Sequence, residues 1–266
     1  MTPIPLLDVA PRVALLRVVG GACSDVGAVR ADNQDSFGAL PAASGPVPQP
    51  ALFVVADGMG GHEAGAEASQ AAVAALLAHV AASAPDGAAQ SDVAPDTAGL
   101  VGAAVAAANA AVWARANAGG QLRRMGTTCT VLMVAGGRAV VGHVGDSRAY
   151  RVRDGQITQV TTDHTVAEAA RSRPDLAEVA RSRRHHLTRA LGVQADVEVD
   201  AFDAGPALAG DRFVLCSDGL EPVPTDEILR ATLVYSAQEA AEWLVALASA
   251  RGSRDNATAI VVHVLA

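Results

Sequence analysis

Four aspartates lie directly after or before an apolar run: Asp57 in VVADGMGG, Asp146 in GHVGDSR, Asp218 in VLCSDGL and Asp255 in SRDNATAIVV. A fifth, Asp35, stands in VRADNQDSF. One Asp-Gly after a strand is ordinarily a turn former. A set of them reads differently, because strand tips are rigid and several tips meeting at one sheet edge pile up negative charge that folding tolerates only with cations. Oxygen ligands without a neighbouring Cys or His cluster select hard ions, Mg²⁺, Mn²⁺ or Ca²⁺, over zinc. A glycine beside the acid, as in Asp57-Gly58, also lets a backbone carbonyl approach a metal closely.

Other chemistries are excluded by what the chain lacks. Lys and Arg together number 20, and every one is Arg. Without lysine there is no P-loop GK[ST], no kinase lysine and no Schiff-base enzyme. The formal net charge of −8 and an aromatic fraction of 3% argue against nucleic acid as a partner. Cys23, Cys129 and Cys216 are far apart in small or apolar runs, as in core packing in a reducing compartment. Six residues separate Cys23 from Arg30, where a cysteine-based phosphatase needs five. No G-x-S-x-G elbow occurs, His62-Glu63 lacks the second histidine of H-E-x-x-H, and the glycines of DGMGGHEAG miss the dinucleotide spacing.

The elements that must position the acids follow from periodicity. Apolar runs at 12–23 and 51–56 predict strands running into functional turns. Ala-rich patterns predict helices from about Glu63 to His79 and Thr97 to Asn117, joined by a Pro, Gly, Ser and Asp-rich loop over 83–96. Four strand signals between Thr127 and Val160, separated by Gly-Gly, Asp-Ser and Asp-Gly, predict an antiparallel meander. Strands are expected again at 195–203, 212–217 and 257–265, with helices at about 225–231 and 236–250. Strand blocks alternating with helix pairs imply sheets packed on helices. His79, Asn109 and Arg115 interrupt the Ala-rich runs, so neither reads as a membrane span. With no basic leader at the N-terminus, the expectation is a cytoplasmic, unanchored chain; a monomer is expected as well.

In order, SDVGAVRADNQDSF, VVADGMGGHEAG, MGTTCT, GHVGDSRAYRVRDG, DHT, LTRALG, VLCSDGL and RDNATAIVV resemble the bacterial branch of the PPM (type 2C) protein serine/threonine phosphatases, over about residues 20–265. The resemblance implies a single catalytic domain over 1–266, of α+β class: a four-layer αββα sandwich of two antiparallel sheets flanked by helix pairs. It also implies two Mn²⁺ or Mg²⁺ ions at one end, with a third, weaker ion. Asp57 would bridge the two metals and the Gly58 carbonyl would bind one of them. Asp218 and Asp255 would hold the first, Asp35 would act through water, and Asp146 with Asp218 would bind the third. Arg30 matches the arginine that clamps substrate phosphate, for which its fork of donors is suited, and Asn256 sits beside the site. A water activated by the cations would attack phosphorus in line, without a covalent enzyme intermediate. The implied partners are phosphorylated proteins, among them a Ser/Thr kinase and its substrates.

Three departures stand out. Gln34 occupies a position often held by glutamate, Met59 replaces the histidine that eukaryotic relatives place after the bridging Asp-Gly, and the flap at about 163–189 lacks the usual pattern. That flap carries Arg171, Arg173, Arg181, Arg183, Arg184, His185 and His186, either a solvated polar face or a basic rim for acidic protein segments. Two rivals remain open: a pseudophosphatase that binds without turnover, against which all the core aspartates speak, and a phosphatase of small metabolites.

Overall fold

A computed structural model of the chain describes residues 16–40, 50–60, 63–83, 96–118 and 125–266. Residues 84–95 of the loop expected over 83–96, His62 and the first residues of the expected strand 12–23 lie outside that set.

Two antiparallel sheets form the centre. One sheet has the order β1 (Arg17–Asp25), β11 (Ala257–Leu265), β10 (Arg212–Cys216), β7 (Arg148–Arg153), β8 (Gln156–Gln159). The other runs β2 (Asp35–Leu40), β3 (Ala51–Met59), β5 (Cys129–Ala135), β6 (Arg138–Val144), β9 (Asp200–Pro206), with the two-residue β4 (Gly126–Thr127) against β3. Alternation assigns the faces. In β3, Phe53 and Val55 point into the space between sheets, where they meet Phe213, Leu215, Ile260 and Val262. Leu52, Val54 and Ala56 point the other way, onto α1 (Glu63–Ser83) and α2 (Thr97–Asn117). On the far side, Val214, Ala259 and Val261 pack on α5 (Thr225–Val234) and α6 (Ala237–Ala250). Helix pair, sheet, sheet, helix pair is the expected α+β sandwich.

The helices form for local reasons. In α1, Ala68, Ala72, Leu76 and Val80 recur every four residues and are buried, as are Val101, Val105, Ala108 and Val112 of α2. Helix α2 is long and apolar enough to cross a membrane, and its apolar face packs in this core. Its Asn109 is buried and bonded, donating to the carbonyls of Gln194 (3.2 Å) and Ala195 (2.8 Å) and accepting from Gly192 N (2.9 Å). Ser236 and Glu239 close a capping box at the start of α6. The next residues shield a sheet edge: the Gln238 amide accepts from Ala22 N (3.1 Å) and donates to Ala22 O (3.0 Å), covering edge strand β1.

Some expectations are corrected. The meander over 127–160 is divided: β5 and β6 pair in one sheet, β7 and β8 in the other. Alternation alone does not distinguish hairpin neighbours from strands in stacked sheets, because both bury apolar faces. Strand β2 was not anticipated, since Asp35 and Ser36 open it with polar side chains. The strand expected at 195–203 begins only at Asp200. The flap folds into two short helices, α3 (Val166–Ser172) and α4 (Ala177–Arg183), neither with a buried residue.

Register then places one end of every central strand together. Asp57 pairs with Asp35, Thr130 with Val55 and Val144 with Cys129 in one sheet. Cys216 pairs with both Ala259 and Arg148, and Asp25 with Ala257, in the other. Because aromatics are scarce, Phe213, 1% exposed, carries an unusual share of the inter-sheet packing. Phe213→Ala should cost about 3–5 kcal/mol, read as a lower guanidinium midpoint with unchanged slope.

Candidate active site

The shared strand end gathers all five aspartates. Asp57 continues the inward alternation of Phe53 and Val55, Asp35 faces it from β2, and Asp146 lies in the crossover from β6 to β7. Asp218 opens a 3-10 turn directly after β10, and Asp255 precedes β11.

The main chain beneath these carboxylates is tightly held. Asp57 O accepts from Thr128 N (2.9 Å) and the Thr127 hydroxyl (2.9 Å), while Asp57 N donates to the Thr128 hydroxyl (2.9 Å). That hydroxyl lies 2.7 Å from Ser147 Oγ, next to Asp146. The Ser217 and Thr258 hydroxyls both donate to Asp35 Oδ2, at 2.8 and 2.6 Å. Asn256 fastens the segment that carries Arg30: its amide donates to Val26 O (2.9 Å) and Asp32 O (3.0 Å) and accepts from Gln34 N (2.9 Å). Ser217 follows the inward alternation of Phe213 and Leu215, and Thr258 that of Ile260 and Val262. Thr128, Ser147, Ser217 and Thr258 were missed from sequence; their signal is a hydroxyl at a strand tip, in phase with the inter-sheet core.

Charge crowding shows in the acidities. Burial, opposed by the Thr258 and Ser217 hydroxyls, pushes Asp35 up to about 6. Burial and then Asp218 and Asp163 push Asp146 up to about 7. Burial, with Asp35, Asp218 and Asp146 around it, holds Asp57 well above the usual carboxylate range. Asp218 is raised by burial and by Asp255, with the neighbouring Asp57 carboxyl opposing the shift. The Arg30 guanidinium sits on the rim, 2.5 Å from Asp255 Oδ2, and is half-exposed. Burial pushes the Cys129 and Cys216 thiols up to about 12, which leaves no cysteine nucleophile in the core.

These residues fit hard cations. Asp35 Oδ1 and Asp218 Oδ1 are buried without a protein partner, and the acids bring only oxygen donors. A Cβ at Gly58 would lie 2.1 Å from Gly65 O, and one at Gly65 would lie 2.8 Å from Gly58 O, so paired glycines keep side chains away from the Gly58 carbonyl. Among the described residues no three acidic, His or Cys side chains are already closed into a coordination shell. Like charges repel, and Arg30 takes up one Asp255 oxygen.

The chain matches the family model for Protein phosphatase 2C over residues 27–261. It is 39% identical over 247 residues to the serine/threonine protein phosphatase PstP of Mycobacterium tuberculosis, covering 91% of this chain and 44% of that one. This chain thus spans less than half the length of that relative. It is 34% identical to the serine/threonine phosphatase stp of Listeria monocytogenes, covering 90% of this chain and 93% of the relative. The solved catalytic domain of PstP in complex with two manganese ions superposes with a TM-score of 0.75 at 37% identity, over 94% of this chain and 100% of that one.

Because the Asp146 carboxyl is raised, its favourable contribution to folding belongs to the protonated form and is lost as pH rises through about 7. With chelator present, Asp146→Asn should therefore melt roughly 2–8 °C above the parent at pH 8. The gain should shrink towards pH 5, as scanning calorimetry across that range would read. An equal or lower Tm at pH 8 would contradict the crowding.

Proposed function

This chain belongs to the protein phosphatase 2C family, in its bacterial branch, and from that premise we propose that it hydrolyses phosphoserine and phosphothreonine in proteins, opposing a Ser/Thr kinase. The observation that carries the reading is the meeting of Asp35, Asp57, Asp146, Asp218 and Asp255 at one end of the sandwich, with Arg30 at its rim.

The family is metal-dependent, and the PstP relative was solved with two manganese ions. In our reading Asp57, the Gly58 carbonyl, Asp218 and Asp255 would hold the two principal ions, manganese or magnesium. Asp35 would act through water, and Asp146 with Asp218 would take a weaker third. Bound there, such ions supply the charge that makes water nucleophilic near neutral pH. The protein's own groups do the rest. Ser217 and Thr258 occupy one oxygen of Asp35 and leave the other free. Asn256 fixes the segment bearing Arg30, whose planar donors grip phosphate oxygens and offset charge building on them. With no lysine in the chain and the core thiols held protonated, water is the nucleophile this reading assigns.

Chelation should abolish hydrolysis of para-nitrophenyl phosphate and of a phosphothreonine peptide, and Mn²⁺ or Mg²⁺ should restore it. Full turnover after verified metal removal would refute the mechanism. Asp57→Asn should lower kcat by at least about 100-fold while the protein stays folded, since removing a charge there relieves repulsion. Arg30→Ala should act mainly on KM, raising it about tenfold on the peptide if the clamp holds ground and transition states alike. An unchanged KM would remove Arg30 from the site.

A further inference from the structure

One buried cluster lies outside the acids. His143 is fully buried in β6, and its ring stands 4.7 Å from that of His164, in DHT at the entrance to the flap. Burial and the neighbouring His164 push His143 down to about 4, so an uncharged ring stands beside His164.

Several contacts of His164 converge. Its main-chain N donates to Gly145 O (2.7 Å), and its side-chain Nδ1 accepts from Gly145 N (3.1 Å). One residue thus satisfies both polar groups of the residue before Asp146. Gly145 needs that hold: its φ is +112°, and a Cβ there would lie 2.6 Å from Thr128. Because Nδ1 accepts from a main-chain N–H, the proton of the neutral ring belongs on Nε2, which lies 3.1 Å from Asp200 Oδ2 and also 3.2 Å from Arg189 Nη1. Asp200 in turn is gripped by Arg189 Nη1 (2.6 Å) and pairs with His143 across β6 and β9. Finally, His164 O accepts from Thr188 N (2.8 Å), joining the two roots of the flap, whose next residues, Thr165 and Leu187, bridge each other.

We propose that His164 is a positioning residue: it fixes the Gly145-Asp146 turn and both flap roots to one another, so that the Asp146 carboxylate is aimed by the same contact that holds the flap base. The consequence for metal rests on the reading of Asp146 as a cation ligand. A partner lying behind a ligand sets how tightly the ion is held without touching it.

Two substitutions divide the imidazole's contacts. His164→Asn presents an oxygen near the Nδ1 position and keeps the acceptor for Gly145 N, losing Asp200. His164→Gln reaches towards Asp200 and removes the acceptor. Three quantities are measured on each variant and on Asp146→Asn: Tm, hydrogen exchange at the Gly145 amide in chelator, and the Mn²⁺ concentration giving half-maximal turnover of a phosphothreonine peptide. We expect His164→Gln to speed Gly145 exchange and to raise the Mn²⁺ requirement by about tenfold each, with His164→Asn moving either by no more than about twofold. Equal effects of the two variants, tracking their Tm, would reduce His164 to a packing residue and overturn the proposal. So would an unmoved Gly145 amide in His164→Gln. Faster Gly145 exchange with no change of Mn²⁺ requirement in either His164→Gln or Asp146→Asn would refute Asp146 as a ligand while the clamp stood. A raised requirement in His164→Gln beside an unmoved one in Asp146→Asn would show the coupling running elsewhere, and the proposal would fall.

Discussion

Like charges brought together out of water govern this structure. Five aspartates meet where two sheets end, and four of them, Asp35, Asp57, Asp146 and Asp218, are pushed upward chiefly by burial, with the other acids adding to it. Such a set opposes folding unless something else holds it in place. Here that is a sandwich whose inner layer, from Phe53 through Leu215 to Val262, is closely packed and almost wholly aliphatic. Antiparallel register sends the end of β3, the end of β10 and the start of β11 to the same edge, so the acids meet as a result of strand pairing rather than of mutual attraction.

The same constraint explains the polar residues around the acids. Ser217 and Thr258 bond one oxygen of Asp35 and so lower a pKa that burial raises. Hydroxyls serve here because they relieve a carboxylate without bringing a charge that would compete with a cation. Arg30 is a charged neighbour, and it stands at the rim, half-exposed, bonded to Asp255.

Much of this was legible in the sequence because the informative residues obey short-range rules. Each of the five aspartates abuts a strand, and the helix from Thr97 to Asn117 was expected with the bounds it has. What escaped depends on partners distant in sequence. Strand β7 pairs with β10 rather than with β6, the chain crossing between sheets at Gly145-Asp146, where Gly145 has a φ of +112°, and such a crossing leaves no mark in periodicity. Strand β2 was hidden because its inward position is Asp35, a carboxylate where a strand pattern calls for an apolar side chain. Its hydroxyl partners, Ser217 and Thr258, lie 182 and 223 residues away. DHT stood out only as part of the family resemblance, and its contacts with Gly145 and Asp200 became visible only when the flap roots were in place.

Precision in this site belongs to the backbone and freedom to the carboxylates. Asp57 has its N–H and C=O fully engaged by Thr127 and Thr128, and Gly145, before Asp146, is held at both polar groups by His164. Asp35 and Asp218, by contrast, each keep a buried oxygen without a protein partner. A site meant only to stabilise the fold would satisfy those oxygens, because an unpaired buried acceptor costs about 1–3 kcal/mol. Fixed main chain beneath unsatisfied carboxylates leaves side-chain rotation as the remaining adjustment, and rotation is what several acids need to close around a small hard ion once its charge has removed their repulsion. The strain that makes the edge unfavourable for folding is in this sense what would draw a cation to it.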